Sequence, residues 1–253
     1  MKWDMLTSPE LDAIDRNTPV ILPISATEQH GKHLPLATDR LIGEHFLQVL
    51  DQEITEDMLI LPSIGIGYSA HHLDFAGTLS VSHDTFIRQA IDIIDCVIGH
   101  GFHNIVIFNS HGGNQGVGTM LLENIGHANS DCQIVLATWW KLAHQELLKL
   151  NESGKGGTGH AGEFETSLLQ YFAPEMVREQ VIEDGAHIAS YQWNEGDMLH
   201  GTQASLYRSL KQTTANGVFG RATTAYADKG EAITKLITAQ LKKIIEDLKQ
   251  NEK

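Results

Sequence analysis

The stretch VILPIS, residues 20–25, is a short run of β-branched and other apolar residues. Three further runs of the same kind follow it: MLILPSIG (58–65), NIVIFNS (104–110) and QIVLATWW (133–140). Uninterrupted apolar runs of this length are typical of strands that are buried on both faces of a parallel sheet. We therefore predict four such strands.

The segments between these runs have the apolar spacing of helices. They are TDRLIGEHFLQVLDQEI (38–54) and SHDTFIRQAIDIIDCVIGHG (82–101), the second with Ser82 as its N-cap and Gly101 just past its end. A last helix is predicted over KGEAITKLITAQLKKIIEDLKQ (229–250), whose apolar stripe consists of Ile233, Leu236, Ile237, Leu241, Ile244, Ile245 and Leu248. Alternation of strands and helices predicts an α/β fold with a mostly parallel central sheet.

Composition narrows the class of protein. The chain has 253 residues, 42% hydrophobic and 20% charged, which predicts a single globular domain over residues 1–253. The Gly-rich pieces at 151–162 and 213–224 are too short to be linkers and are expected to be loops. A net charge of −14 opposes binding to nucleic acid or to anionic membranes.

The two cysteines and the N-terminal segment indicate the cellular compartment of the protein. Cys96 and Cys132 have no metal-site spacing and form no disulfide framework, and the first residues lack the basic and apolar regions of a signal peptide. We therefore expect a cytoplasmic protein.

Polar side chains follow the ends of the predicted strands. Glu28 and His30 follow the first strand, His111 follows the third, and GTGHAGEFETS (157–167) follows the fourth. The last segment contributes His160, Glu163 and Glu165. Ligands of open parallel sheets bind outside the carboxyl ends of the strands, so these groups are expected to converge there.

Each of these residues also has a structural interpretation. Glu28 and His30 lie two apart in an extended segment and would project to one side, but an isolated pair of this kind is usually surface decoration. Asp39 precedes an apolar helical segment, where it is either a helix N-cap or a ligand, and Thr38 could cap the helix instead.

The other two segments leave similar alternatives. HGGNQG (111–116) could be an ordinary turn or an anion cradle at a helix start, although it matches neither the dinucleotide-binding fingerprint nor a P-loop. His160 and Glu163 lie three apart and would share a helix face. Glu165 could merely favour the positive end of the helix dipole.

Taken together, the residues favour a metal centre. Crowding several carboxylates and histidines together is costly without a cation. Carboxylate and imidazole ligands without thiolate suit Zn²⁺, Mn²⁺ or Fe²⁺, and the excess of carboxylates suits two ions that share one bridging Asp. Two ions about 3.5–4 Å apart lower the pKa of a water molecule and polarise a carbonyl, which is the usual arrangement for hydrolysis.

Four blocks in this order resemble the signature motifs of the creatininase family: ATEQHGKHLPLATD (26–39), DFAGTLS (74–80), FNSHGGN (108–114) and GHAGEFETS (159–167). The resemblance implies a three-layer α/β/α fold, two divalent metal ions per chain and hydrolysis of an amide or related C–N bond in a small molecule. It also implies a homo-oligomeric assembly, frequently a hexamer.

The same resemblance assigns roles to residues. Glu28 and His111 would bind one metal and His30 the other, with Asp39 bridging both. Creatininase completes its second site with a Glu two residues after the strand-end His, where this chain has Gly113. Glu163 is the predicted replacement, with Glu165 as the alternative ligand. His160 would be the catalytic proton shuttle, and Glu165 its support.

The substrate is less constrained by the sequence. Creatininase closes its pocket with a tryptophan ahead of the third block, where this chain has GKGG (154–157), which argues against creatinine. Trp139 and Trp140 are alternative pocket walls or core residues, and Trp193 belongs to a lid, a subunit contact or a plain surface loop.

Other functions stay open at this point. One is a formamide deformylase acting on a ribosylaminopyrimidine, for which a phosphorylated substrate would need more basic residues than Lys32, Arg40 and Lys155. A second is a hydrolase of lactones or sugar-derived ketones. A non-catalytic metal or ligand-binding module is disfavoured, because His160 would then have no purpose beyond packing.

Overall fold

A computed structural model describes residues 1–54, 58–185, 188 and 191–250. In this part of the chain the strands are β1 (Val20–Ile24), β2 (Leu59–Ile60), β3 (Asn104–Asn109), β4 (Gln133–Thr138), β5 (Thr158–His160) and β6 (Phe219–Gly220). The helices are α1 (Ser8–Asp12), α2 (Thr38–Glu53), α3 (His83–Gly99), α4 (Gln115–Ala128), α5 (Trp139–Leu142), α6 (His144–Leu150), α7 (Glu163–Phe172), α8 (Leu210–Thr213) and α9 (Ala227–Gln250).

The central sheet is parallel, with the strand order β2-β1-β3-β4. The register pairs Ile24 of β1 with Asn109 of β3, and Asn109 with Thr138 of β4. The last residues of these three strands therefore lie side by side at one edge of the sheet. This edge is the one at which the sequence predicts the polar groups to converge.

Helices cover both faces of this sheet. Successive strand residues point to opposite faces: Ile105 and Ile107 pack with α3 and α4, whereas Val106 and Phe108 pack with α2, α7 and α9. The two faces thus have separate apolar cores, and the predicted three-layer α/β/α fold is confirmed.

The predicted helices are also confirmed. The Ser82 hydroxyl accepts a hydrogen bond from the Thr85 backbone N–H at 3.2 Å, and Gly101 has a φ of +92° just past the end of α3. Along α9, Ile233, Ile237, Leu241, Ile245 and Leu248 are buried, as the apolar stripe predicts. No helix among the described residues is long and apolar enough to cross a membrane.

Two predictions about strands were wrong. Trp139 and Trp140 do not extend β4 but begin the short helix α5. The Gly-rich segments expected to be loops contribute β5 and β6, which pair with each other antiparallel. Gly-rich strands of two or three residues have no apolar alternation to reveal them, and their pairing joins segments about 60 residues apart in the chain.

Candidate metal centre

Asp39 lies between two histidines. Its Oδ1 is 3.4 Å from His30 Nε2, and its Oδ2 is 3.2 Å from His111 Nδ1. The N-cap of α2 is Ala37, so Asp39 is a first-turn residue and not the cap of its helix. Its side chain is buried, and both carboxylate oxygens face imidazoles that come from different strand ends.

Backbone contacts set the orientation of the imidazoles. His30 Nδ1 donates to the Glu28 carbonyl at 3.0 Å, which leaves His30 Nε2 facing Asp39. His111 Nε2 donates to the Tyr68 carbonyl at 2.9 Å, which leaves Nδ1 facing Asp39. A second hydrogen bond of this kind fixes the ring and tautomer of a metal-binding histidine.

Glu28 and His160 extend the cluster. The Glu28 carboxylate lies 3.4 Å from His111 Nε2 through Oε2 and 3.6 Å from His160 Nδ1 through Oε1. His160 ends β5, and its Nε2 donates to the Gln29 carbonyl at 2.7 Å. The free Nδ1 of His160 therefore faces the carboxylate cluster.

Glu165 reaches the cluster from the first turn of α7. Its Oε2 is 3.9 Å from His30 Nε2 and accepts a hydrogen bond from the Ala161 N–H at 2.6 Å. Ala161 has a φ of +49°, the left-handed conformation that costs a residue with a side chain free energy. This turn between β5 and α7 is what directs the peptide N–H towards Glu165.

The structure does not bring Glu163 into this cluster. Its carboxylate pairs with Lys229 and the Ser153 hydroxyl, and accepts the backbone N–H groups of Glu152 and Ser153 at 3.0 Å each. Glu163 and Glu165 lie two apart on a helix, so their side chains are about 200° apart around its axis. The prediction of Glu163 as a metal ligand is not supported by this geometry, because its oxygens are already bound elsewhere.

Two histidines at the centre were missed in the sequence. His72 Nε2 lies 3.4 Å from Glu28 Oε1, and one nitrogen of His71 lies within 4.8 Å of ligand atoms of Glu28 and His111. The signal in the sequence was the adjacent histidine pair just before DFAGTLS (74–80). The pair lies six and seven residues past the predicted strand 58–65, with IGYSA (66–70) in between, and no motif marks it as part of the sheet edge.

Burial and charge act together on the pKa values of this cluster. Burial raises the pKa of Glu28 and of Glu165 to about 7. Burial alone would lower the pKa of His30 and His111, but the neighbouring carboxylates raise these values to about 10 and about 9. Burial would raise the pKa of Asp39, yet the two histidines hold it well below its usual range. Burial therefore disfavours the charged form of all three carboxylates, and a positive charge beside them favours it.

The polar atoms at the centre fit a bound cation. Glu28 Oε2, His30 Nε2 and Asp39 Oδ2 are buried and have no hydrogen-bond partner among the described residues, which is costly unless another group satisfies them. In the part of the chain that the structure describes, four sets of residues place their ligand atoms within 4.8 Å of one another: Glu28, His30 and Asp39; His30, His160 and Glu165; Glu28, His71 and His111; and Glu28, His72 and His160. Imidazole and carboxylate donors without thiolate suit zinc, manganese or iron.

A cavity of about 540 Å³ opens above this cluster. Glu28, Asp39, His111 and Glu165 line its inner end. The other lining residues are His71, His72, Gly112, Gln115, Trp140, Lys141, His144, Gly159, His160, Asp197, Met198, Leu199, Gly201, Leu210 and Phe219. Trp140 thus borders the cavity as one of its walls, whereas Trp139 is buried in the core.

Substitution of Gly113 by alanine is expected to lower metal affinity at least about tenfold, as expected for altered support of a ligand. A Cβ at Gly113 would lie well inside van der Waals contact of the Tyr68 carbonyl oxygen and of His111 Nε2, and would displace that ring. Competition with a chromogenic chelator measures the affinity. Gly112→Ala is the matched control because nothing lies within 4 Å of its added Cβ, and equal losses in both variants would contradict the explanation.

Comparison with known proteins identifies the family. The sequence model of the creatininase family, described as creatinine amidohydrolase, matches residues 4–245. Because this match extends over nearly the whole chain, the chain belongs to the creatininase family of hydrolases.

Individual relatives share about a quarter of their residues with this chain. The mycofactocin precursor peptide peptidase of Mycobacterium tuberculosis is 28% identical over 225 residues, which cover 85% of this chain and 79% of the relative. The 3-dehydro-scyllo-inosose hydrolase of Thermotoga maritima is 24% identical over 242 residues, with 90% and 77% covered. A solved creatininase variant described as the Zn-Zn type is 25% identical, covers 97% of both chains and superposes with a TM-score of 0.78.

Proposed function

We propose that this protein is a metal-dependent amidohydrolase that cleaves a C–N bond of a small amide. The observation that carries the proposal is the buried cluster at the floor of the cavity, where Glu28, His30 and Asp39 present atoms that no other described residue hydrogen-bonds. Membership of a family described as creatinine amidohydrolase supports the reaction type. The zinc-containing creatininase structure supports the metal.

We assign the ligands of two divalent ions, zinc, manganese or iron, as follows. Glu28 and His111 would hold the first ion, His30 and Glu165 would hold the second, and Asp39 would be a ligand of both. Glu165 takes the place predicted for Glu163 because its carboxylate lies 3.9 Å from His30 and lines the cavity. When bound, such ions lower the pKa of a water molecule and polarise a carbonyl group.

Proton transfer in the proposed reaction is assigned to a side chain, His160. Burial holds the pKa of His160 well below its ordinary value, so this imidazole is neutral before the reaction and has an unprotonated nitrogen. The Gln29 carbonyl accepts a hydrogen bond from His160 Nε2–H. His160 Nδ1 is therefore the atom that takes a proton from the attacking water and delivers it to the leaving nitrogen. Gln29 also donates from Nε2 to His72 Nδ1 at 3.1 Å, which orients that second ring beside Glu28.

The proposal is tested with purified protein loaded with zinc, manganese or iron, and with the same protein after chelation. Release of amine or formate is measured for cyclic amides, formamides, short peptides and lactones, and bound metal is counted by mass spectrometry. We expect about two ions per chain and metal-dependent release of amine. Protein that holds two ions and hydrolyses none of the amides would contradict the proposed activity.

A second candidate function is the hydrolysis of a sugar-derived ring without release of an amine. Similarity to the Thermotoga maritima hydrolase over 90% of this chain favours it. In the same assay it would appear as ring opening of lactones or cyclic ketones, with amides left intact.

The deformylase alternative is weaker. Lys32, Arg40 and Lys155 lie within 2.7–3.9 Å of glutamates and do not line the cavity. They therefore provide no binding site for a phosphorylated substrate beside the metal centre.

Replacement of His160 by glutamine is expected to lower kcat by about 10²–10⁴, the usual contribution of a general acid–base residue. Bound metal should stay at the wild-type level, because the proposed ligands are other residues. Steady-state kinetics and metal counting on the same sample measure both quantities. Loss of metal together with activity would show that His160 is a ligand and not a proton shuttle.

The assembly is a further part of the proposal. We expect a homo-oligomer, with the hexamer implied by the family resemblance as the first form to test. Large apolar side chains are exposed on the single chain, including Leu73, Leu79 and Tyr207. Light scattering coupled to gel filtration measures the mass, and a monomer at micromolar concentration would contradict this expectation.

A further inference from the structure

The cavity above the metal centre has a cationic side chain to which no role has been assigned. Among the Lys and Arg residues that the structure describes, Lys141 alone lines this cavity. It is an exposed residue in the last turn of α5, and the two residues before it, Trp139 and Trp140, are buried. The buried tryptophans therefore fix the backbone that carries Lys141.

The sheet places Lys141 near the catalytic edge. Asn109 at the end of β3 pairs with Thr138 at the end of β4, and adjacent strands lie about 4.8 Å apart. His111 is two residues beyond the end of β3, and Lys141 is three residues beyond the end of β4. The two segments thus leave the sheet side by side and border the same cavity.

The acidic residues of the cavity are already engaged. Glu28, Asp39 and Glu165 belong to the metal centre. Asp197 is buried, and its Oδ1 accepts the N–H groups of Leu199 and of His200 at 2.9 and 2.8 Å, while its Oδ2 accepts the N–H of Gly156 at 2.6 Å. Within the described residues Lys141 has no acidic partner, although the chain has 32 acidic residues and only 18 Lys and Arg.

The rest of the cavity wall is mostly apolar. The residues that form this apolar wall are Trp140, Met198, Leu199, Leu210 and Phe219. His144 Nε2 donates to the Leu199 carbonyl at 2.7 Å, so this nitrogen is bound to the wall and is not available to a ligand. The cavity therefore combines an apolar wall, one ammonium group and the metal centre.

We propose that Lys141 binds a carboxylate of the substrate, and that the substrate class is an amide with a free carboxylate and an apolar side group. The inference rests on the proposed amidohydrolase function. A single ammonium group matches one carboxylate, whereas recognition of a phosphate normally uses several donors or an arginine fork. The carboxyl terminus of a short peptide and the carboxylate of an N-acyl amino acid share this chemistry.

The test measures binding apart from turnover. Hippurate has an aromatic ring, an amide and a carboxylate, and hippuramide is the same molecule with the carboxylate replaced by an amide. Their affinities for zinc-loaded protein are determined by calorimetry or ligand-observed NMR, with competing hydrolysis monitored. A short peptide with a free carboxyl terminus and its terminal amide form a second pair, which distinguishes the two sources of the carboxylate.

We expect the wild type to prefer the carboxylate member of at least one pair by about tenfold, as for a charge-assisted hydrogen bond at a partly exposed group. Lys141→Met should abolish this preference without weakening the neutral member, and Lys141→Arg should restore part of it. Lys149→Met, an exposed lysine of α6 outside the cavity lining, is the control and should leave the preference intact.

Three results would overturn the inference: no preference in the wild type, a preference that survives in Lys141→Met, or equal weakening of both members of a pair. Because binding is measured directly, these results are separate from the fate of the proposed function. A carboxylate preference in protein that hydrolyses no amide would leave Lys141 as a carboxylate-binding residue and would reject only the amidohydrolase activity.

Discussion

Replacing Asp39 by asparagine is expected to lower turnover by about 10³ or more and to reduce bound metal from two ions per chain to one or none. The carboxylate contacts His30 and His111 through its two oxygens, at 3.4 and 3.2 Å. An amide has no net charge and presents N–H donors on one side, so it cannot serve two cations. Loss of the charge stabilisation that metal ions provide is worth several kcal/mol, which corresponds to this change in rate.

The experiment combines metal counting with kinetics on the same sample. Asp84→Asn is the matched control, because Asp84 lies in the first turn of α3 as Asp39 lies in the first turn of α2, but it is exposed and far along the chain from the centre. The control should keep both metal and activity. Two ions per chain in Asp39→Asn would exclude Asp39 as the shared ligand.

Glu163→Gln is expected to lower thermal stability, and Glu165→Gln is expected to lower metal content. Glu163→Gln should keep the metals but lower the Tm by about 10 °C, because breaking a buried ion pair costs about 3–5 kcal/mol. Lys229 would keep only the exposed Glu152 carboxylate at 3.5 Å as an ionic partner among the described residues. The side chains of Glu163 and Lys229 are both fully buried. Glu165→Gln should lose one metal and most activity while its metal-free Tm stays near that of the metal-free wild type.

Thermal unfolding of metal-free proteins and metal counting of loaded ones measure the two effects. Lys229→Met is the companion variant: it should lower the Tm as Glu163→Gln does, because it leaves Glu163 buried without its cation. The assignment of Glu165 as the ligand is wrong if Glu163→Gln, and not Glu165→Gln, loses metal.

The sequence could not decide which of Glu163 and Glu165 belongs to the candidate metal centre. Both glutamates fall in one signature block, and on the sequence alone either one could complete the second metal site. The choice depends on Lys229, which is 66 residues away in the chain and takes the Glu163 carboxylate. Long-range pairing of this kind leaves no local pattern in the sequence.

His71 and Lys141 are two residues whose position at the cavity could not be predicted from the sequence. Both lie shortly after predicted strands, His71 six residues past the run 58–65 and Lys141 directly past the run 133–140. A histidine pair or a lone lysine in a short segment nevertheless has no periodicity that indicates a role. Both border the cavity because the segments before α3 and after β4 fold to the same edge of the sheet. Their proximity to Glu28 or to the apolar wall is visible only in three dimensions.

The sequence by itself determined the strands of the central sheet, the long helices, the family and most of the residues that meet at its edge. These are properties of local hydrophobic periodicity and of short motifs, because burial of an apolar face and the order of the candidate ligand residues are both recorded along the chain. The tertiary structure alone decided which glutamate faces the centre, which histidines join it and which lysine lines the cavity. Those outcomes depend on contacts between residues far apart in the chain, where the competing partner of a charged group decides whether it is free to bind a ligand.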